Sequence, residues 1–193
     1  MSGGIELMNS RMSNSEKVLA SAACERLAGR GNLRILIGGL GMGFTLRAAL
    51  ADLPPQAQVV VAELVPAVVA WARGPMAHIF DGSLEDPRVS VEETDVGRLI
   101  GGATGAYDAI LLDVDNGPGG LSREENDSLY SLDGLRAAAK ALKPGGLLAV
   151  WSSGPSNEFA RRLRTTGYQV EEVRANANRK GKGARHVIWI ATK

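Results

Sequence analysis

The chain has 193 residues, which is enough for one well-buried core and leaves little room for a second complete domain. Its 45% hydrophobic and 22% charged residues are ordinary for a soluble globular protein and exclude a disordered chain. The formal net charge of +1 gives no general electrostatic attraction to nucleic acid or to an anionic membrane surface. We therefore expect a single domain with no nucleic-acid or membrane partner.

The amino-terminal region and the cysteine content indicate the compartment. Residues 1–15 are polar and contain no apolar core of a signal peptide, and no later apolar run is long enough to span a bilayer. Cys24 is the single cysteine, which excludes an internal disulfide and a thiolate metal cluster built from one chain. His78 and His186 have no carboxylate or cysteine at ligand spacing, so no metal site is predicted. These features predict a cytoplasmic protein.

Short apolar runs rich in β-branched residues alternate along the chain with segments of helical periodicity. Strands are predicted at residues 34–37, 58–64, 88–92, 107–113, 147–152, 170–174 and 186–192. Helices are predicted at residues 15–27, 45–52, 66–73, 126–142 and 157–166. This alternation predicts an α/β fold with a doubly wound, mostly parallel, Rossmann-like sheet. Because only a loop separates the last two strands, we expect them to form a terminal antiparallel hairpin.

Four glycines, Gly38, Gly39, Gly41 and Gly43, follow the first predicted strand and lead directly into a helix. Glycine permits a positive φ and lets a ligand approach the backbone closely, which suits a binding turn. The dinucleotide-binding pattern G-x-G-x-x-G is incomplete, because Phe44 stands at its third glycine when the count begins at Gly39. The G-K-[ST] sequence of a P-loop is also absent. The alternative interpretation is a tight turn that binds no ligand.

Acidic residues follow the next two predicted strands. Glu63 ends the second strand, where its two carboxylate oxygens can accept both hydroxyls of a ribose. Asp95 and Val96 lie beyond the third strand, where the Asp95 carboxylate can accept from the amino group of an adenine. Both acids have an alternative interpretation, since Glu63 can simply face solvent and Asp95 can cap the following helix. The order of glycine turn, Glu63 and Asp95 predicts a nucleoside site at the carboxyl edge of the sheet.

Five motifs stand in order along residues 35–152. They are GGLGMG (38–43), VAEL (61–64), DPRV (86–89), YDAILLD (107–113) and ALKPGG (141–146). In type and order they resemble the motifs of the spermidine synthases, which have the class I S-adenosylmethionine-dependent methyltransferase fold with seven strands. The resemblance implies that the chain binds S-adenosylmethionine or decarboxylated S-adenosylmethionine. It also implies that Asp113 corresponds to the catalytic aspartate of that family.

Two departures from the spermidine synthase pattern concern the half of the site that would hold a polyamine. Leu40 and Met42 stand in the glycine motif where the synthases usually place an Asp that helps to hold the aminopropyl donor. No counterpart of the family's Tyr-His-Glu run follows Ser15. We therefore predict a transferase that moves a methyl group from an S-adenosyl nucleoside to a small acceptor. The alternatives are aminopropyl transfer to a polyamine and a non-catalytic module that binds the nucleoside.

Catalysis is assigned to residues after the fourth predicted strand. Asp113 can take the acceptor's proton or stabilise a cationic amine, and Asp115 can orient the acceptor or the donor tail. The alternative for Asp113 is that it only holds the amino group of the donor. Tyr130 resembles the tyrosine that follows the catalytic loop in the synthases, which implies that it closes over the site. Its alternative is an amphipathic residue at a helix start.

The amino-terminal segment predicts association of the chain with a second copy, and the basic run near the carboxyl end does not predict nucleic-acid binding. Residues 5–11 (IELMNSR) resemble the end of the small β-domain of the synthases, so we divide the chain into a remnant at 1–14 and a nucleoside-binding domain at 15–193. A lone strand leaves backbone groups unpaired, which predicts a homodimer, although a disordered terminus is the alternative. The basic run at 174–185 has no interleaved aromatics and is interpreted as a solvated hairpin loop.

Overall fold

The computed structural model describes residues 13–114, 117–118, 128–177 and 184–193. Its strands are β1 (Arg34–Gly38), β2 (Gln58–Ala62), β3 (Val89–Glu92), β4 (Tyr107–Leu112), β5 (Leu142–Ser152), β6 (Gln169–Asn176) and β7 (Arg185–Thr192). Its helices are α1 (Asn14–Arg26), α2 (Phe44–Asp52), α3 (Pro66–Arg73), α4 (Ala77–Phe80), α5 (Val96–Gly101), α6 (Leu132–Ala141) and α7 (Asn157–Thr165). The longest of these helices, α1, has 13 residues, so none in the described ranges is long enough to cross a bilayer.

All seven described strands belong to one sheet in the order β3-β2-β1-β4-β5-β7-β6. The first five strands pair in parallel, and β7 lies antiparallel between β5 and β6. This arrangement confirms the predicted α/β fold with a mostly parallel, seven-stranded sheet and a terminal antiparallel hairpin. Since β1 has β2 on one side and β4 on the other, the strand order reverses at its carboxyl end. Open α/β sheets bind ligands at that kind of crevice.

Two apolar clusters cover the two faces of the sheet. On one face, Leu19 of α1 and Leu46 of α2 belong to the same buried cluster as Ile37 of β1. On the other face, Leu135 of α6 and Phe159 of α7 lie in a second buried cluster. Because helices cover both sides, β4 is buried along its whole length, which explains its continuous apolar sequence.

The helix predicted at residues 126–142 is interrupted at Ser131, since residues 128–130 and 132–141 are helical. The α6 helix begins at Leu132, and residues 126–127 lie outside the described ranges. Ser131 ends the preceding segment because its backbone is extended, with φ −70° and ψ 165°. Its hydroxyl accepts a hydrogen bond from Gly134 N and donates one to Ser128 O. A Ser side chain used in this way is a helix N-cap.

Three further differences arise where the sequence signal is short. The α4 and α5 helices have four and six residues and were not predicted, because so few residues show no helical period. β5 begins at Leu142 rather than at residue 147, since pairing with β4 resumes after a bulge. In that bulge residues 143–146 stand opposite Asp108 alone, and Gly145 has φ +70°.

Candidate functional site

The glycine turn joins β1 to α2 and carries three positive φ angles. They are +93° at Gly39, +48° at Gly41 and +74° at Gly43. A Cβ at Gly39 would lie 2.4 Å from the carbonyl oxygen of Asp113, and one at Gly43 would lie 2.5 Å from the Phe80 ring. At Gly41 it would meet no described atom within 4 Å. The turn is therefore held tightly at two glycines and is open at the one between them.

Glu63 is buried and ties the glycine turn to the end of β2. One carboxylate oxygen accepts from Leu40 N at 2.9 Å, and the other accepts from Val65 N at 2.9 Å. The side chain is 8% exposed, so the alternative of a solvent-facing glutamate is wrong. Each carboxylate oxygen has a second lone pair, which leaves capacity for ribose hydroxyls.

Asp95 is the N-cap of α5, as its alternative interpretation expects. Its Oδ1 accepts from Gly97 N at 2.5 Å, while contact with an adenine stays a prediction for the same carboxylate. Val96 is buried beside the glycine turn, since a Cβ at Gly38 would lie 3.0 Å from its side chain. Val96, which was predicted to lie on the adenine side, is therefore beside the glycine turn at the sheet edge.

Asp113 follows β4 directly and is fixed to both ends of the glycine turn. Its N–H donates to Gly38 O at 2.9 Å, and the Thr45 hydroxyl donates to its Oδ2 at 2.5 Å. Burial raises the pKa of the Asp113 carboxyl to about 7, the hydrogen bond from Thr45 opposes this rise, and the negative charge of Glu16 adds to it. Asp113 is thus a carboxyl group poised to exchange a proton near neutral pH.

Glu16 is a site residue that the sequence analysis missed. It lies in the first turn of α1, and its carbonyl oxygen is 3.5 Å from the Thr45 hydroxyl that donates to Asp113. Burial also raises the pKa of the Glu16 carboxyl. In sequence, an acid at this position indicates only a favourable helix start, and no local pattern connects it with the site.

The sequence pattern gives His186 no partner at ligand spacing, but the structure connects His186 to Glu16 through the hydroxyl of Ser15. Its Nδ1 is 2.9 Å from the hydroxyl of Ser15, and that hydroxyl donates to Glu16 Oε2 at 3.2 Å. The Trp151 ring packs against the imidazole with 4.6 Å between centroids. Among the described residues, no group of three His, Cys, Asp or Glu side chains could hold a metal ion.

Tyr130 is buried, and its hydroxyl donates to Val114 O at 3.4 Å, just after Asp113. Its ring meets Phe159 edge-on at 5.7 Å. The first contact connects it to the segment that follows β4, and its predicted role as a catalytic residue that closes over the site stays a prediction. Asp115 lies outside the described residues.

Comparison with known proteins gives sequence relatives of one kind. A polyamine aminopropyltransferase of Mycobacterium tuberculosis (strain ATCC 25618 / H37Rv) is 34% identical over 146 residues, which are 70% of this chain and 27% of that protein. One from Nitrosomonas europaea is 35% identical over 102 residues, covering 53% of this chain and 30% of the relative. The chain therefore spans less than a third of the length of these relatives. No protein-family model matches the chain.

Solved structures share the fold at low sequence identity. Spermidine synthase from Thermotoga maritima superposes with a TM-score of 0.76 at 18% identity, covering 96% of this chain and 62% of that one. TrmN from Thermus thermophilus gives a TM-score of 0.64 at 23% identity, covering 92% of this chain and 48% of that one. At these identities the likeness concerns the fold alone.

Proposed function

Because the chain is a spermidine synthase-like protein with the class I S-adenosylmethionine-dependent methyltransferase fold, we propose that it binds decarboxylated S-adenosylmethionine and transfers the aminopropyl group to an amine of a small polyamine. The prediction of methyl transfer as the main activity is not supported, since the sequence relatives are named polyamine aminopropyltransferases. Aminopropyl transfer, which was the alternative prediction, agrees better with those names.

The nucleoside half of the site supports this proposal. Glu63 has acceptor capacity for a ribose beside the open position at Gly41. Next to it, Leu64 and Val65 are 49% and 40% exposed, which is unusual for large apolar residues that follow a buried strand. Such exposed apolar surface at a sheet edge fits contact with a flat nucleobase.

The observation that carries the proposal is the placement of two partly buried carboxylates, Glu16 and Asp113, beside the glycine turn. Burial raises the pKa of both carboxyl groups, and the charge of Glu16 acts on Asp113. Two neighbouring, partly buried carboxylates repel each other, and a bound cation between them relieves that repulsion. A cationic amine is therefore the acceptor that this half of the site fits best.

The residues present can supply what the transfer requires. Bound decarboxylated S-adenosylmethionine would supply a sulfonium whose aminopropyl carbon is open to in-line attack. An alkylammonium must lose one proton before its nitrogen forms the new N–C bond, as the S–C bond breaks and leaves a neutral thioether. Asp113 has a pKa of about 7 and is suited to take that proton near neutral pH. Glu16 would stabilise the positive charge that passes to the product amine.

Replacing Asp113 by Asn tests this assignment. We expect Asp113→Asn to keep its affinity for 5′-methylthioadenosine within about threefold, because the nucleoside contacts lie elsewhere. We expect it to lower transfer to 1,4-diaminobutane by about 100-fold or more, the usual contribution of a positioned acid–base group. Isothermal titration measures the first quantity, and mass spectrometry of the amine product measures the second.

The matched control is Asp81→Asn, an exposed aspartate whose side chain pairs with Arg47. It should change neither binding nor transfer. A protein that gives no heat with decarboxylated S-adenosylmethionine or the thioether would refute the nucleoside site. Binding without any transfer would instead favour a non-catalytic nucleoside-binding module, and unchanged transfer by Asp113→Asn would disprove the role of Asp113.

A further inference from the structure

We propose that His186, acting through Ser15, holds the Glu16 carboxylate in place as the second carboxylate of the acceptor site. This inference deepens the proposed function and rests on it. His186 is then a positioning residue, since its contact with the site passes through two other side chains. It lies at the start of β7, and Ser15 lies in the first turn of α1, so the two are 171 positions apart in sequence.

The hydrogen bonds between the three side chains have a direction. Ser15 is 1% exposed, and its hydroxyl donates to Glu16 Oε2 at 3.2 Å. A hydroxyl has a single proton, so the 2.9 Å contact with His186 is satisfied when Nδ1 of the imidazole carries a proton and donates to Ser15. The imidazole therefore orients the serine, and the serine orients the carboxylate.

The surroundings keep the imidazole neutral and fixed. Burial lowers the pKa of His186, which favours the neutral ring with one N–H. Trp151 of β5 packs against it edge-on, and Ala175 of β6 is its partner across the strand pair. The ring contacts the Ser15 hydroxyl, and that hydroxyl in turn donates to Glu16.

The same hairpin also fixes the backbone of α1. Asn14 donates from its side chain to Asn176 O at 2.9 Å and from its N–H to Ala177 O at 3.3 Å. The first turn of α1 is thus attached to the β6–β7 hairpin by the backbone and side chain of Asn14 and by the side chain of Ser15. From this fixed base the carbonyl oxygen of Glu16 accepts from the Thr45 hydroxyl, and the Glu16 charge acts on Asp113.

Two substitutions break the hydrogen bonds, and a third restores one of them. Ser15→Ala removes the hydroxyl, and His186→Phe keeps an aromatic ring against Trp151 while removing Nδ1. Each should raise KM for 1,4-diaminobutane about tenfold and leave kcat and the affinity for 5′-methylthioadenosine within about twofold, because ground-state binding of the amine is lost. His186→Asn places an amide donor near the position of Nδ1 and should return KM to within about threefold of the parent value.

Matched controls come from the same chain. Ser21→Ala removes another α1 hydroxyl that donates to a carboxylate, that of Asp52 at 2.8 Å, and His78→Phe alters an exposed histidine. Both should leave KM for the diamine unchanged. If His186→Asn fails to rescue and the pH profile of kcat shifts, the imidazole exchanges protons itself and the positioning role is wrong. If the donor affinity and the diamine KM deteriorate together, the role is only structural.

A second measurement does not depend on activity. Because the charge of Glu16 raises the pKa of Asp113, loss of its position should lower the Asp113 pKa in Ser15→Ala and in His186→Phe. Carbon-detected NMR titration of the Asp113 carboxyl in the full chain measures this shift. An unchanged Asp113 pKa in both variants would overturn the inference, whereas absence of transfer in the parent protein would overturn the proposed function alone.

Discussion

Gly39 has the most constrained backbone of the glycine turn. Its φ is +93°, and a Cβ there would lie 2.4 Å from the carbonyl oxygen of Asp113. Any side chain at this position would clash with the backbone of Asp113, which positions the candidate catalytic carboxyl group. Gly41 also has a positive φ, but a Cβ there would meet no described atom within 4 Å. Position 39 therefore requires glycine for both space and backbone conformation, whereas position 41 requires it for backbone conformation alone.

Alanine at the two positions should therefore differ in its effect on stability. We expect Gly39→Ala to lower the free energy of unfolding by about 3 kcal/mol or more, since it combines a backbone clash with a left-handed φ. Gly41→Ala should cost about 1 kcal/mol, the price of the left-handed conformation alone. Urea denaturation of both variants measures the difference. Equal losses would mean that the backbone near Asp113 yields to a methyl group.

The raised pKa of Asp113 predicts how stability changes with pH. An aspartate in an unfolded chain titrates near pH 3.9, whereas folding raises this carboxyl to about 7. Between these values the folded state binds more protons than the unfolded state. The stabilisation by neutral Asp113 is therefore complete below pH 4 and is lost as the pH rises through about 7.

Asp113→Asn removes this dependence because the amide does not titrate. The variant should match the parent at pH 4 and exceed it at pH 8 by about 2 to 4 kcal/mol in free energy of unfolding, from a shift of about three pH units. Urea denaturation at pH 4, 6 and 8 tests this. A difference between the two proteins that stays constant with pH would show that Asp113 ionises as it does in an unfolded chain.

At the level of elements, local sequence specifies the sheet better than the short helices. The apolar runs of β2 and β4 predicted both strands to within two residues, because buried parallel strands are continuous in β-branched and aliphatic residues. The same reasoning gave no signal for α4, whose four residues complete barely one helical turn. The start of α6 depends on the Ser131 cap, which a propensity argument does not distinguish from a helix interior.

The site divides in a similar way. The position of Glu63 beside the glycine turn could be predicted, because the end of a parallel strand lies at the carboxyl edge of the sheet. The cluster of Glu16, Ser15 and His186 was missed because the contact between Ser15 and His186 joins residues 171 positions apart. That contact depends on the packing of α1 against the β6–β7 hairpin, and no local pattern encodes such packing. Residues at the carboxyl ends of successive strands could therefore be predicted from the sequence, and a cluster built between distant elements could not.

For the whole molecule, association as a homodimer stays a prediction. Residues 5–8, on which it rests, lie outside the described residues. Asn14 is hydrogen bonded to the β6–β7 hairpin, so a shortened protein should begin at Ser13 to keep that contact. We expect light scattering to give a dimer for the full chain and a monomer for the shortened one. The same mass for both proteins would show that residues 1–12 do not drive assembly.

The position of β7 has a consequence for the order in which the protein is made. β7 is the last strand of the chain, yet it lies between β5 and β6 and is the strand through which β6 joins the sheet. While the ribosome still holds residues 185–192, the hairpin edge is missing and His186 has not reached Ser15. At about 5 to 20 residues per second, synthesis from the end of β5 to the end of β7 takes about 2 to 8 seconds. During that interval the nascent chain can form the glycine turn and its contact with Glu63, but not the contact between His186 and Ser15.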